Sequence, residues 1–113
     1  MNIKVIEEKA EIERLLVLSH PYTMIGMALE VEATVKSLQR SVGLNLEFWA
    51  DTPSGKYEEL AKIETKDLAE GEEARYTAEF TPNETGIYNI YAYLYDGWKR
   101  IGRKTDCIYA QGG

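Results

Sequence analysis

Trp49, Tyr91, Tyr93 and Tyr95 are the residues of this chain best equipped to bind something, and Arg100 and Lys104 lie close enough to join them. Tyrosine and tryptophan combine a large apolar ring with a polar tip, bury much area and lose little entropy when fixed. The three tyrosines alternate with Ile90, Ala92 and Leu94, which is the period of a β-strand. If the aliphatic set faces a core, the tyrosines share the opposite face. Three uses fit such a row. Cross-strand ring pairs can stabilise an exposed sheet, at roughly 0.2–1 kcal/mol per pair. The row can be covered by a neighbouring domain or by a second copy of the chain. It can also stack on sugar rings, whose apolar faces suit flat aromatics.

Other reactive residue types are sparse. His20 is the only histidine, stands beside Pro21 and has no nucleophile nearby, so it reads as a turn residue rather than an acid–base catalyst. Cys107 alternates with Ile101 and Tyr109 and reads as a small core residue. Asp67, Glu70, Glu72 and Glu73 crowd a polar loop with no second element to complete a calcium site, so a solvated loop is the expectation. No Cys/His cluster has metal-ligand spacing, and no glycine-rich loop resembles a phosphate cradle. The expectation is a non-enzyme with no cofactor and no bound metal.

Composition sets the outer limits. A chain of 113 residues is expected to form one domain over 1–113, either a protein in itself or a domain excised from a longer one. Its formal charge of −6 argues against general nucleic-acid binding, although Lys99, Arg100, Arg103 and Lys104 make a local basic strip. A lone cysteine cannot form an internal disulfide, the first residues lack the order of a signal peptide, and no apolar run reaches membrane-spanning length. A cytoplasmic setting without membrane contact is the expectation. The terminal Gly112-Gly113 is the ending of ubiquitin-like modifiers, but those need a helix after two strands. None is indicated here, so a tail or a domain boundary explains the glycines.

The elements that must position the aromatics are strands. Ile3 to Ile6 fits a first strand. Between Ala10 and Ser19, Ile12, Leu15 and Leu16 fit a helical face, yet Leu15 to Leu18 is an apolar run that suits a buried strand, and strand is preferred because Pro21 would end a helix abruptly. Leu29, Val31, Ala33 and Val35 point in, as do Leu44, Leu46 and Phe48, which leaves Asn45, Glu47 and Trp49 opposite. Asp51 to Gly55 is a turn, Tyr57 to Glu64 a shorter strand, and Tyr76, Ala78 and Phe80 the inward set of the next. Thr81-Pro82-Asn83 breaks that strand, Tyr88 to Tyr95 follows, and Asp96-Gly97 signals a hairpin into a last strand from Trp98 to Tyr109. Seven to eight short strands of this kind make an all-β antiparallel sandwich.

Glu84-x-Gly86-x-Tyr88-x-Ile90 is similar to the Asp-x-Gly-x-Tyr-x-Cys signature of immunoglobulin domains, with Ile90 where a bridging Cys would stand and Val35 where its partner would. The order of strands resembles immunoglobulin or fibronectin type III topology, with Leu29–Val35 second, Leu44–Trp49 third and Tyr88–Tyr95 sixth. That resemblance implies that Trp49 is the core tryptophan of the third strand, whereas parity with Phe48 turns it outward, so a β-bulge decides between the two. Ala74 to Pro82 followed by Glu84 to Tyr88 also looks like the sandwich modules attached to α-glucan-active enzymes, which implies glucan binding. The leading expectation for function is a protein-interaction or self-association module that uses the aromatic face. α-Glucan binding is the alternative.

Overall fold

Strict alternation of apolar and polar residues produces strands here because each strand has one face to bury and one to wet. The structure, a computed structural model, describes residues 9–18, 22–40 and 43–112. It contains β1 (Ala10–Leu18), β2 (Tyr22–Met24), β3 (Leu29–Ser37), β4 (Asn45–Asp51), β5 (Tyr57–Glu64), β6 (Glu73–Phe80), β7 (Gly86–Asp96) and β8 (Lys99–Gln111). No helix occurs among the described residues. The expected strand at Ile3 to Ile6, along with His20 and Gly113, lies outside them.

The strands form two sheets, β1-β3-β6 and β2-β8-β7-β4-β5. All pairings are antiparallel except β2 with β8, which is parallel. The fold is an immunoglobulin-like β-sandwich. The short β2 is an element that the alternation pattern does not reveal, since three residues are too few to show a period. Apart from it, the strands follow the expected order.

Between the sheets lie Val31, Ala33 and Val35 from β3, Leu46 and Phe48 from β4, and Ile90, Ala92 and Leu94 from β7, every one of them fully covered. Val35 and Ile90 thus fill with aliphatic packing the two places where the resemblance puts a disulfide. Tyr76 is only partly buried, and its hydroxyl accepts the Lys66 N–H at 3.2 Å. β1 is a strand with a bulge between Ile12 and Arg14. The extra residue turns both Ile12 and Leu15 inward, which accounts for their helix-like spacing of three. At the open side of the sandwich, the Val17 N–H donates to Asp106 Oδ2 at 3.1 Å and ties β1 across to β8.

Each residue of the Glu84-x-Gly86-x-Tyr88-x-Ile90 sequence has a distinct job. The Glu84 carboxylate accepts the Ser54 N–H at 3.1 Å and holds the β4–β5 turn. Gly86 has φ +134°, and a Cβ there would stand 2.8 Å from Pro53 Cβ, so the close approach requires glycine. The Tyr88 hydroxyl accepts the backbone N–H groups of Asn83 at 3.0 Å and Glu84 at 2.9 Å, and faces Asn83 Oδ1 at 3.3 Å. This is the tyrosine corner of immunoglobulin-like sandwiches. At the far end of β7 the hairpin closes on Gly97 and Trp98, because Asp96 pairs with Lys99. Gly97, with φ +65°, takes the first turn position as a type II′ turn requires.

Tyr88→Phe keeps the ring but leaves two backbone donors without their acceptor. It is expected to cost about 1–3 kcal/mol in urea unfolding with an unchanged slope. A loss below about 0.5 kcal/mol would mean that water replaces the hydroxyl.

Candidate functional site

The β4–β7 register runs without interruption from Asn45↔Tyr95 to Asp51↔Asn89. Residues directly opposite in an antiparallel pair share a face. Inward Phe48 and Ala92 therefore force Trp49, Tyr91, Tyr93 and Tyr95 onto the outer face of the five-stranded sheet. Trp49 is half-buried there and does not enter the core, so the core-tryptophan position implied by the resemblance is not taken. A bulge does occur beside Trp49, but in the β4–β5 pairing, where it leaves the parity of β4 intact.

A fifth ring completes the face. Tyr57 opens β5 opposite Asp51, stacks on Trp49 with centroids 4.8 Å apart and planes within 12°, and meets Tyr91 edge-on at 5.8 Å. Its hydroxyl shares a hydrogen bond with the hydroxyl of Tyr93. Tyr91 and Tyr93 are parallel within 2° at 5.9 Å, and Tyr95 tilts against Tyr93 at 6.4 Å. Enclosed on all these sides, Tyr93 is only 9% exposed although it lies on the outer face. It is the covered centre of the cluster, whereas Tyr57, at 49% exposure, is its rim. Sequence reasoning missed Tyr57. The signal was the Asp51–Gly55 turn, which makes β4 and β5 a hairpin and brings Tyr57 back onto the Trp49 face.

The cations differ from expectation for one reason. β8 carries a bulge where Leu94 pairs with Gly102 but Tyr95 pairs with Arg100. Ile101 is the extra residue and packs against the core. The bulge puts Arg100 and Arg103, three apart in sequence, on the same face. The Arg100 guanidinium lies 5.1 Å from the Tyr93 centroid, and that of Arg103 lies 5.4 Å from the Tyr91 centroid. Lys104 instead pairs with Ala92 and belongs to the opposite face, away from the tyrosines. The same shift turns Cys107 out beside Asn89, so this residue is exposed and does not belong to the core as its alternation suggested. Gly102 is the signal for the bulge, since an isolated glycine in a strand marks one, and a Cβ there would sit 3.3 Å from Leu94 Cβ.

Charge divides across the face. On the β4–β5 side, Glu47 Oε1 accepts the Trp49 indole N–H at 2.8 Å, and its other oxygen stands 3.9 Å from Lys62 Nζ. Asp51, Glu59 and Glu64 share that side by register, while the β8 side holds Arg100 and Arg103. The acidic loop is engaged within itself: Glu72 accepts the Ala69 N–H at 2.9 Å and reaches Lys66 at 3.5 Å, and the Ala69 bond first, then Lys66, holds its carboxyl below the usual range. Among the described residues no group of three or more His, Cys, Asp or Glu could hold a metal ion, and no helix is long and apolar enough to cross a membrane.

The same fold occurs in proteins of diverse kinds. The CARDB domain of the PF1109 protein from Pyrococcus furiosus, solved in complex with di-metal ions, matches with a TM-score of 0.72 over 93% of both chains at 14% identity. The C-terminal domain of wzt matches with a TM-score of 0.74 at 9% identity over 95% of this chain and 76% of that one. A β-glucuronidase from glycoside hydrolase family 2 matches with a TM-score of 0.69 at 9% identity, over 91% of this chain but 13% of the enzyme. Identities this low show the fold alone. Small domains and parts of larger enzymes are both represented. No protein-family model and no curated protein matches the sequence.

Burial among the rings, and next the Tyr93 hydrogen bond, push the Tyr57 phenol well above its ordinary value near ~10. The fold holds the neutral form, so this contribution is complete below about pH 10 and is lost as pH climbs through the raised folded value. Absorbance titration of phenolate should show one tyrosine resisting ionisation past the rest. Tyr57→Phe should remove that late step, and Tyr93→Phe should bring it down.

Proposed function

We propose that this chain is a non-catalytic module that docks a protein surface through the outer face of its five-stranded sheet. One observation carries the reading, namely the way the rings are turned. Trp49 and Tyr57 face each other, as do Tyr91 and Tyr93, and guanidinium groups lie over the two tyrosines. Sugar stacking needs open ring faces. This arrangement presents ring edges, hydroxyls and charges instead. Tyrosine, tryptophan and arginine are also the residues that dominate protein–protein hot spots. A reducing, cytoplasmic setting fits the exposed thiol of Cys107. α-Glucan binding is the competing reading, supported by turn residues shared with glucan-enzyme modules and disfavoured by the ring orientations.

Electrophoresis through gels containing soluble starch or glycogen separates the two. The chain is expected to run unretarded, and retardation abolished by Trp49→Ala would favour the glucan. For the protein reading, partners captured by the wild type should be lost at least about tenfold with Tyr57→Ala and Tyr91→Ala, equivalent to about 1.4 kcal/mol or more. Circular dichroism should be unchanged. Full retention by both variants would move the docking surface elsewhere.

A further inference from the structure

We infer that the partner is a second copy of this chain, docked face to face about a two-fold axis that runs along β7. The inference rests on the docking reading above and adds the identity of the partner. Its basis is the charge layout of the face. The tyrosines of β7 form a central ridge, with arginines on the β8 flank and the carboxylates of Glu47, Asp51, Glu59 and Glu64, against Lys62, on the other.

A two-fold axis lying along the ridge exchanges left and right but keeps the position along the strand. β8 of each copy then lies over β4 of the other. Glu47 and Arg103 both pair with Tyr93, from opposite sides, so they occupy the same row. Arg103 of one copy therefore meets Glu47 of the other, twice per dimer, while the tyrosine ridges meet on the axis. An axis perpendicular to the strands would instead set β8 on β8, arginine against arginine. Self-complementarity of this kind is what an isologous interface requires. The chain's net charge of −6 disfavours unspecific pairing, so only an alignment that matches opposite charges brings two copies together.

Area sets the strength. Strands spaced about 4.8 Å apart, with outward rows about 6.8 Å apart, give each copy roughly 400 Å² of flat contact over four rows of the three strands that this axis superposes, β8, β7 and β4. A standard interface buries about 800 Å² per partner, so this dimer is weak and reversible.

Sedimentation equilibrium of the wild type over a wide concentration range should show a monomer–dimer equilibrium that weakens as salt rises. Arg103→Glu and Glu47→Lys should each sediment as monomers. An equimolar mixture of the two should recover a dimer, because both cross-contacts are then oppositely charged. The double variant in one chain should recover it as well. Recovery cannot be imitated by local disturbance at Trp49, and circular dichroism of each variant checks folding. A wild type that stays monomeric at every concentration overturns this inference but leaves the docking reading, which the Tyr57→Ala and Tyr91→Ala capture decides. A wild-type dimer with no recovery in the mixture overturns the proposed axis. A dimer indifferent to both charge variants and to Tyr57→Ala overturns inference and reading together.

Discussion

The candidate site depends first on the unbroken register between β4 and β7. Strand side chains alternate with a period of two, so one slip would exchange the faces of the whole strand. Phe48 and Ala92 are held inward by the core, and their neighbours therefore have no choice. Core and candidate site are thus a single structural decision. The bulges of this sandwich interrupt the pairing of β1 with β3, β4 with β5, and β7 with β8, but leave β4 with β7 intact. The tyrosine corner contributes by fixing where β7 begins. Tyr88 binds two backbone donors of the turn before it, and Gly86 admits Pro53 from the β4–β5 turn. Both strands are pinned at the same end.

An aromatic outer face is costly to leave wet, and the protein limits that cost internally. Tyr93 reaches the burial of a core residue without lying between the sheets, because Tyr91, Tyr95, Tyr57 and Arg100 crowd around it. The cluster is therefore packed against itself before anything binds. Preorganisation of this kind reduces the entropy lost on association, which matters most for a contact of modest area. The same crowding sets chemical character. A stacked ring has one face taken by its neighbour, which leaves fewer open faces for a flat ligand. On the other sheet the outward residues of β3 and β6 are chiefly charged, as in Glu30, Glu32, Arg75 and Glu79, while β1 exposes Leu16 and Leu18.

Identities of 9–14% with the solved sandwiches mean that the fold survives near-complete replacement of its residues. A shared frame of this kind does not by itself fix function.

Alternation in the sequence by itself determined the core of β3, β4 and β7, and with it the outward direction of Trp49, Tyr91, Tyr93 and Tyr95. The Glu84 to Ile90 segment likewise determined the corner, because Glu84, Gly86 and Tyr88 each answer a local steric or hydrogen-bonding demand. Only the tertiary structure decided that Tyr57 joins the rings, that Tyr93 is covered, that Arg103 rather than Lys104 completes the cluster, and that Cys107 is exposed. The last two follow from one extra residue at Ile101. A bulge is chosen by the pairing of two strands and the packing behind them, since Gly102 must pass close to Leu94 and Ile12 while Ile101 reaches the core. Those contacts join residues distant in the chain, and no period read along β8 alone contains them.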